Sequence, residues 1–333
     1  MKFLITTLLL CLHISLALAQ VSGENSFGVL QLPSGARSAA LGGVVPALPG
    51  DITLVADNPA LLDSVKTGDF AFAYAPFFGE INYLNVTGAF EAGKAGRLAV
   101  GIAYVDYGDF TERDLIGTAL GTFTPRDLML RVSKSHRIGP FVLGASLKYA
   151  NVSIAGYSSN AIMADLGGFY QKPGSQLTFG MVLKNLGTSF SNFATINPEL
   201  PLDVHMGISF KPEHMPARFS LSAYNFVDSD LAYFGKTIDS EENPAVFQEV
   251  FRHINLGMEL LIGKSFNFLI GYNHLRNQEL RLAQGGFGAG FSWGFMARIK
   301  KLDIRFSRAT YHAAGGMSTF SVQGNLSRIK KLF

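Results

Sequence analysis

The stretch Phe141-Val142-Leu143-Gly144-Ala145-Ser146-Leu147-Lys148-Tyr149-Ala150-Asn151-Val152 decides the fold. Phe141, Leu143, Ala145, Leu147 and Tyr149 fall on one side of an extended chain, and Gly144, Ser146 and Lys148 on the other. A period of two marks a strand, whose successive side chains point to opposite faces. The apolar face carries the bulk, and the opposite face is small or polar. The pattern recurs upstream. Phe70, Phe72 and Tyr74 alternate with Ala71, Ala73 and Ala75, and Leu98, Val100, Ile102 and Tyr104 alternate with Ala99, Gly101 and Ala103. In a barrel that crosses a bilayer, the bulky face meets lipid and the small face lines the lumen.

About fourteen such segments are predicted, most of about nine to eleven residues, the length of a tilted spanning strand. They are Asp69–Phe77, Ile81–Glu91, Arg97–Tyr107, Asp127–Ser135, Phe141–Val152, Ala161–Gln171 and Leu177–Leu186. Asp203–Lys211, Ala217–Val227, His253–Ile262, Phe266–His274, Gly286–Met296, Leu302–Ala309 and Thr319–Leu326 follow. Short connections such as Ala92–Gly96 and Gly263–Ser265 alternate with longer ones such as Gly108–Arg126 and Asp228–Arg252; Phe78–Glu80 is the exception. Short periplasmic turns and long outer loops are the signature of an outer-membrane barrel, and place both chain ends in the periplasm.

The composition agrees. The chain has 333 residues, 36 glycines, 28 phenylalanines and a formal charge of +3. Met1–Ala19 reads as a secretory signal peptide. Lys2 is its charged start, Phe3–Leu12 its apolar run, and Ala17-Leu18-Ala19 its cleavage site, with Gln20 the first mature residue. A membrane anchor fits less well, because the run is short. The single cysteine, Cys11, lies in this peptide, so the mature chain is expected to lack thiols, disulfides and cysteine metal ligands. No basic patch interleaves with aromatics, which argues against nucleic acid as a partner. No apolar run beyond the signal peptide is long enough for a spanning helix. An exported, apolar chain without spanning helices fits a barrel; a soluble β-sandwich array is the competing reading.

Phe27 to Leu62 breaks the alternation. Gly42-Gly43 permits positive φ or close backbone approach. Asn58-Pro59 favours a turn, with Pro59 opening a short helix through Leu62. Residues 20–66 are expected to form a plug inside a barrel of residues 67–333, with Arg37 buried against a wall carboxylate. A surface arm leading into the first strand is the alternative. The predicted inner face carries Asp69, Arg131, Lys148, Asp165, Lys184, Glu259 and Arg305.

No catalytic constellation emerges. His136, His205, His214, His253, His274 and His312 fit no zinc spacing, and no nucleophile-elbow motif is present. The reading is therefore of a non-enzyme with no cofactor and no metal. Gly286-Phe287-Gly288-Ala289-Gly290 looks like a phosphate loop, but its alternation reads as a lumen-facing stripe. Tyr74, Tyr104, Tyr149 and Tyr272 are expected in an outer aromatic girdle, and Tyr170 and Trp293 in the opposite one. In the loop Asp228–Arg252, Val246, Phe247, Val250 and Phe251 have the spacing of a short amphipathic helix, either a lid or a partner-docking surface.

Arg37, Ala39-Ala40-Leu41-Gly42-Gly43 and Asn58-Pro59-Ala60 resemble the N-terminal region of the PorV/PorQ branch of the FadL-like outer-membrane barrels. Phe27-Gly28-Val29-Leu30 with Leu32-Pro33-Ser34 is most similar to the PorQ family of Bacteroidetes. That resemblance spans the mature chain. It implies a non-enzymatic barrel subunit of the type IX secretion system, set in outer-membrane lipid. Its implied role is to anchor a surface attachment complex, with a PorZ-like surface protein and the PorU/PorV pair as partners. The alternative within the superfamily is a FadL-like transporter of hydrophobic small molecules. A transporter would need an apolar luminal pocket and a lateral opening, and the small, polar inner face argues mildly against it. A general porin is disfavoured by a plug.

Overall fold

A computed structural model describes residues 27–77, 79–191, 199–227, 250–263, 265–279, 288–312 and 315–329. The signal peptide, Val246 and Phe247 lie outside the described residues.

Among the described residues, sixteen strands follow a luminal segment. They begin with β1 (Asp69–Pro76), β2 (Asn82–Glu91), β3 (Arg97–Asp106), β4 (Phe110–Arg113), β5 (Ala119–Phe123), β6 (Arg126–Ile138), β7 (Phe141–Ile154) and β8 (Tyr157–Gln171). They continue with β9 (Leu177–Ser189), β10 (Asp203–Phe210), β11 (Ala217–Ala223), β12 (Ile254–Ile262), β13 (Phe266–Asn273), β14 (Phe291–Ile299), β15 (Leu302–His312) and β16 (Gly315–Asn325). All but β4 and β5 form one closed antiparallel barrel of 14 strands, sealed where β1 pairs with β16 from Asp69↔Asn325 to Tyr74↔Phe320. Closure removes both sheet edges, so every strand in the wall satisfies its backbone internally.

The two faces differ as the alternation predicts. On β7, Leu143 and Leu147 are exposed, while Val142, Ser146, Lys148 and Ala150 are buried. On β1, Phe72 and Tyr74 point out and Ala71, Ala73 and Ala75 point in. Outward aromatics form a ladder. Phe266, Phe295, Phe306 and Phe320 follow one another across β13 to β16 with ring centroids 5.1–6.2 Å apart. An apolar outer face of this extent is matched to hydrocarbon, not water. Arg131, Lys148, Asp165, Glu259 and Arg305 are all buried inside the wall.

Three expectations are corrected. The expected strand stripe is corrected over its described part, Gly288–Gly290: Gly288 and Gly290 are turn residues at φ +98° and +80°, and β14 starts only at Phe291, while Gly286 and Phe287 lie outside the described residues. Trp293 pairs with Ile270, one outward position from the Tyr272↔Phe291 rung. It therefore sits at the strand end that Tyr272 occupies, opposite to the end expected for it. Within Gly108–Arg126, β4 and β5 form a separate hairpin. Its short strands expose residues on both faces, so no alternation marks them.

Candidate luminal site

The luminal segment is a chain of short turns. It comprises a 3-10 turn at Gly28–Leu30, helix α1 (Ala36–Ala40), and 3-10 turns at Thr53–Ala56 and Pro59–Ser64. Helix α1 packs on β13, β14, β15 and β16, the Pro59–Ser64 turn on β6, β7 and β8, and the Gly28–Leu30 turn on β3 and β6. Contact with strands around the circumference places the segment within the barrel. Phe27, Leu41, Leu48, Ile52, Leu54, Leu61 and Leu62 are fully buried.

An irregular chain leaves carbonyls without partners, and a buried one needs them. The wall supplies donors. Ser292 Oγ donates to Ala40 O at 2.9 Å, Asn255 Nδ2 to Leu41 O at 2.9 Å, and Asn273 Nδ2 to Gly42 O at 3.1 Å. Thr178 Oγ1 donates to Ala47 O at 2.7 Å, and Asn85 Nδ2 to Ser34 O at 2.7 Å. Gly42 and Gly43 take φ of +95° and +111°. A Cβ on Gly42 would lie 1.7 Å from Asn255 Oδ1, so only glycine fits.

Arg37 is held by charge. Its Nε and Nη2 donate to the two carboxylate oxygens of Glu259 at 2.7 and 2.9 Å, and Nη1 donates to Pro49 O at 3.0 Å. Arg218 of β11 donates to Glu259 Oε2 at 2.9 Å. Burial acts to lower the Arg37 pKa, but the Glu259 carboxylate outweighs it and holds the guanidinium raised. The site thus joins the luminal segment to β11 and β12 through a buried, bidentate pair.

Asn58 caps the turn that Pro59 opens, its Oδ1 accepting from Ala60 N at 3.0 Å. Its amide donates to Pro46 O at 2.9 Å and to Gly168 O at 3.0 Å. Ala60 lies against Gly144, where a Cβ would meet Ala60 N at 2.2 Å. Beside this turn Asp57 accepts from Ser34 Oγ at 2.6 Å. Burial pushes the Asp57 carboxyl above its usual range, against the opposing pull of Lys184.

On the outer side of the wall, an apolar pocket of about 410 Å³ spans β10 to β13. Phe210, Phe219, Leu221 and Leu256 line it, with Gly257 and Gly271 at its floor. Behind that floor sits the luminal segment: a Cβ on Gly257 would lie 3.1 Å from Leu41 Cδ2, and one on Gly271 2.4 Å from Gly42 N. A glycine-thin wall therefore separates the outer pocket from the luminal segment.

Of the loop residues predicted to dock a partner, Val250 and Phe251 are helical, Val250 exposed and Phe251 in edge contact with the His274 ring at 5.9 Å. The β4–β5 hairpin, not foreseen, exposes Phe110, Leu115, Ile116 and Leu120. Its tip is a turn in which Asp114 Oδ1 accepts from Ile116 N at 3.0 Å and Thr118 N at 2.7 Å. The Asp114–Gly117 spacing was its one sequence signal. Among the described residues, no group of three or more His, Cys, Asp or Glu side chains is arranged to hold a metal.

No family model matches the sequence. No curated protein matches it either. Solved structures match in fold. The toluene transporter TbuX of Ralstonia pickettii aligns with a TM-score of 0.51 at 13% identity, over 89% of this chain and 99% of that one. The monoaromatic hydrocarbon channel CymD gives 0.51 at 13% identity, over 90% and 99%. The toluene transporter TodX of Pseudomonas putida gives 0.50 at 11% identity, over 88% and 96%. At such identities the likeness is one of fold. With its closed 14-strand wall and its apolar exterior, this chain has the fold of the FadL-like outer-membrane barrels.

Proposed function

We propose that the chain is a non-enzymatic outer-membrane barrel, plugged by its own N-terminal segment, that anchors a protein assembly at the cell surface. The observation that carries this reading is the pairing of a luminal segment whose apolar side chains, Phe27, Leu41, Leu48, Ile52, Leu54, Leu61 and Leu62 among them, are fully buried with a hairpin that presents four exposed apolar side chains. Leu115 and Ile116 at its tip are 107% and 88% exposed, which costs solubility unless something covers them. The sequence resemblance to the PorQ family supports the finer form of the reading: a type IX secretion subunit holding a PorZ-like surface protein beside PorU and PorV.

The second reading is transport of hydrophobic small molecules. The structural comparisons lean toward it more directly, because the barrels of like fold are hydrocarbon transporters and channels. The apolar pocket over Gly257 and Gly271 also favours it, since about 300–1,000 Å³ is the size of a small-ligand site. Connecting that pocket with the lumen requires β12 and β13 to part at the Gly257↔Gly271 rung as well as a shift of Leu41 and Gly42 behind it.

One experiment separates the two. The tagged chain is recovered from native outer membranes in mild detergent, and toluene uptake is measured in cells with and without it. Stoichiometric capture of an exported protein, lost in Leu115→Ser/Ile116→Ser, supports the anchor. Uptake that depends on the chain, with no partner captured, overturns it in favour of transport.

A further inference from the structure

A small cavity of about 30 Å³ lies between the luminal segment and the wall. Leu32, Ser34 and Asp57 line it from the segment, and Arg131, Lys148 and Lys184 from β6, β7 and β9. The fold gathers these charges by a specific device. Register shifts between β8 and β9 at Ala164/Leu166, and Asn185 adopts φ +61°. Such a bulge turns the consecutive Lys184 and Asn185 toward the lumen, where plain alternation would send one outward. Lys148 Nζ then reaches Asp165 Oδ1 at 2.6 Å, and Asn185 N donates to the same carboxylate oxygen at 2.8 Å.

The charges around the cavity do not balance. Lys148 is paired with Asp165. Asp203, across the β9–β10 rung from Lys184, gives its carboxylate to His205 Nε2 at 2.9 Å and to Asn225 N and Phe226 N. Among the cavity-lining groups, Arg131 and Lys184 therefore face the one carboxylate of Asp57. Arg131 is 2% exposed. Its Nη2 donates to Thr87 Oγ1 at 3.2 Å, and its buried Nε has no protein partner. Lys184 has no hydrogen bond or ion pair among the described residues. A buried guanidinium with an unused donor is costly unless something accepts from it. A water needs about 10–15 Å³ of such space, so the cavity holds one or two water-sized bodies.

We propose that this cavity binds one monovalent anion of halide size, held by Arg131 Nε and Lys184 and shared between the luminal segment and the wall. The anion removes the excess positive charge and accepts the orphaned N–H. Because the lining comes from both parts of the chain, occupancy ties residues 29–34 and 56–57 to β6, β7 and β9. The inference is independent of whether the barrel anchors a partner or passes hydrocarbons.

The probe is bromide, used with the full mature chain in detergent. Crystals grown in sodium bromide are expected to show an anomalous bromine peak within hydrogen-bond reach of Arg131 Nε. Thermal unfolding should shift upward and saturate in bromide but not in gluconate at equal ionic strength. Lys184→Met, a half-buried position that leaves the barrel intact, should weaken the apparent bromide affinity by roughly tenfold or more, as loss of a close cation requires. Asp57→Asn should strengthen it, since the competing carboxylate is gone. Water at Nε without an anomalous peak, or unfolding that depends on ionic strength but not on the anion, overturns the proposal. So does weaker bromide binding in Asp57→Asn.

Discussion

Glu259→Gln is the most incisive test of how the luminal segment is held. The substitution keeps the shape of the side chain and removes its charge. In the native barrel Glu259 is 2% exposed and accepts two bonds from Arg37 and one from Arg218, all at 2.7–2.9 Å. With glutamine, one oxygen becomes an N–H₂ group pointing at a guanidinium, and buried Arg37 and half-buried Arg218 lose their shared counter-charge. Removing one partner of a buried ion pair costs about 3–5 kcal/mol, and the bidentate, shared geometry places this case toward the upper end. Arg218 is the weaker partner, with a side chain 22% exposed and a single bond; Arg218→Gln should cost about 1 kcal/mol. The assay is urea unfolding in detergent micelles at neutral pH, read by gel mobility of the folded barrel. Replacing Arg37, Arg218 and Glu259 together by Met, Met and Leu should recover most of the loss, since no charge is then stranded. A Glu259→Gln penalty under about 1 kcal/mol would refute the reasoning, because it would mean that the trio is solvated like a surface pair.

Asn58→Ala removes the cap on Ala60 N and strands the carbonyls of Pro46 and Gly168. At about 1 kcal/mol for each lost bond, a penalty of about 2–3 kcal/mol is expected by the same unfolding assay. Leu147→Arg places a cation on the lipid face, where Leu147 is 58% exposed, and should cost about 2–4 kcal/mol near the bilayer midplane. Its measure is unfolding from lipid vesicles, where a water-exposed position would instead show almost no change.

The wall was legible wherever bulk and smallness alternate. Phe141 to Val152 reads as a strand because its lipid face carries Leu143 and Leu147 and its inner face Gly144 and Ser146, and β7 has those faces. The same rule misled at Gly288–Gly290, where a glycine-alanine-glycine run extends the alternation in sequence while two positive-φ glycines form a turn. The hairpin β4–β5 gave no period, because neither face is buried. The partner of Arg37 lay beyond the sequence for a different reason. Glu259 is 222 residues away, and only the register of β11, β12 and the luminal segment selects it among the wall carboxylates. Lys184 was assigned to the inner face, but the bulge that lets Asn185 join it depends on the β8–β9 pairing and leaves no local signature.

The small inner face of the strands has a meaning that alternation alone does not carry. A pore lined by glycine and alanine would be wide and wet. Here the inward glycines are contact points for the luminal segment. A Cβ on Gly144 would lie 2.2 Å from Ala60 N, on Gly180 2.1 Å from Pro46 O, and on Gly271 2.4 Å from Gly42 N. These contacts are with backbone, which cannot swing aside as a flexible side chain would. Gly271→Ala should therefore force the Leu41–Gly42 turn away from β13, at a cost of about 1–3 kcal/mol from overpacking. Gly88→Ala, on the outward face of β2 where a Cβ meets nothing within 4 Å, is the control for a strand glycine away from the luminal segment, and it should be neutral or slightly stabilising. If both variants unfold alike, the glycine face is a strand habit and not a seat for the plug. If only Gly271→Ala is damaged, and gains proteolytic cleavage within residues 36–50, the wall owes its smallness to the chain it encloses.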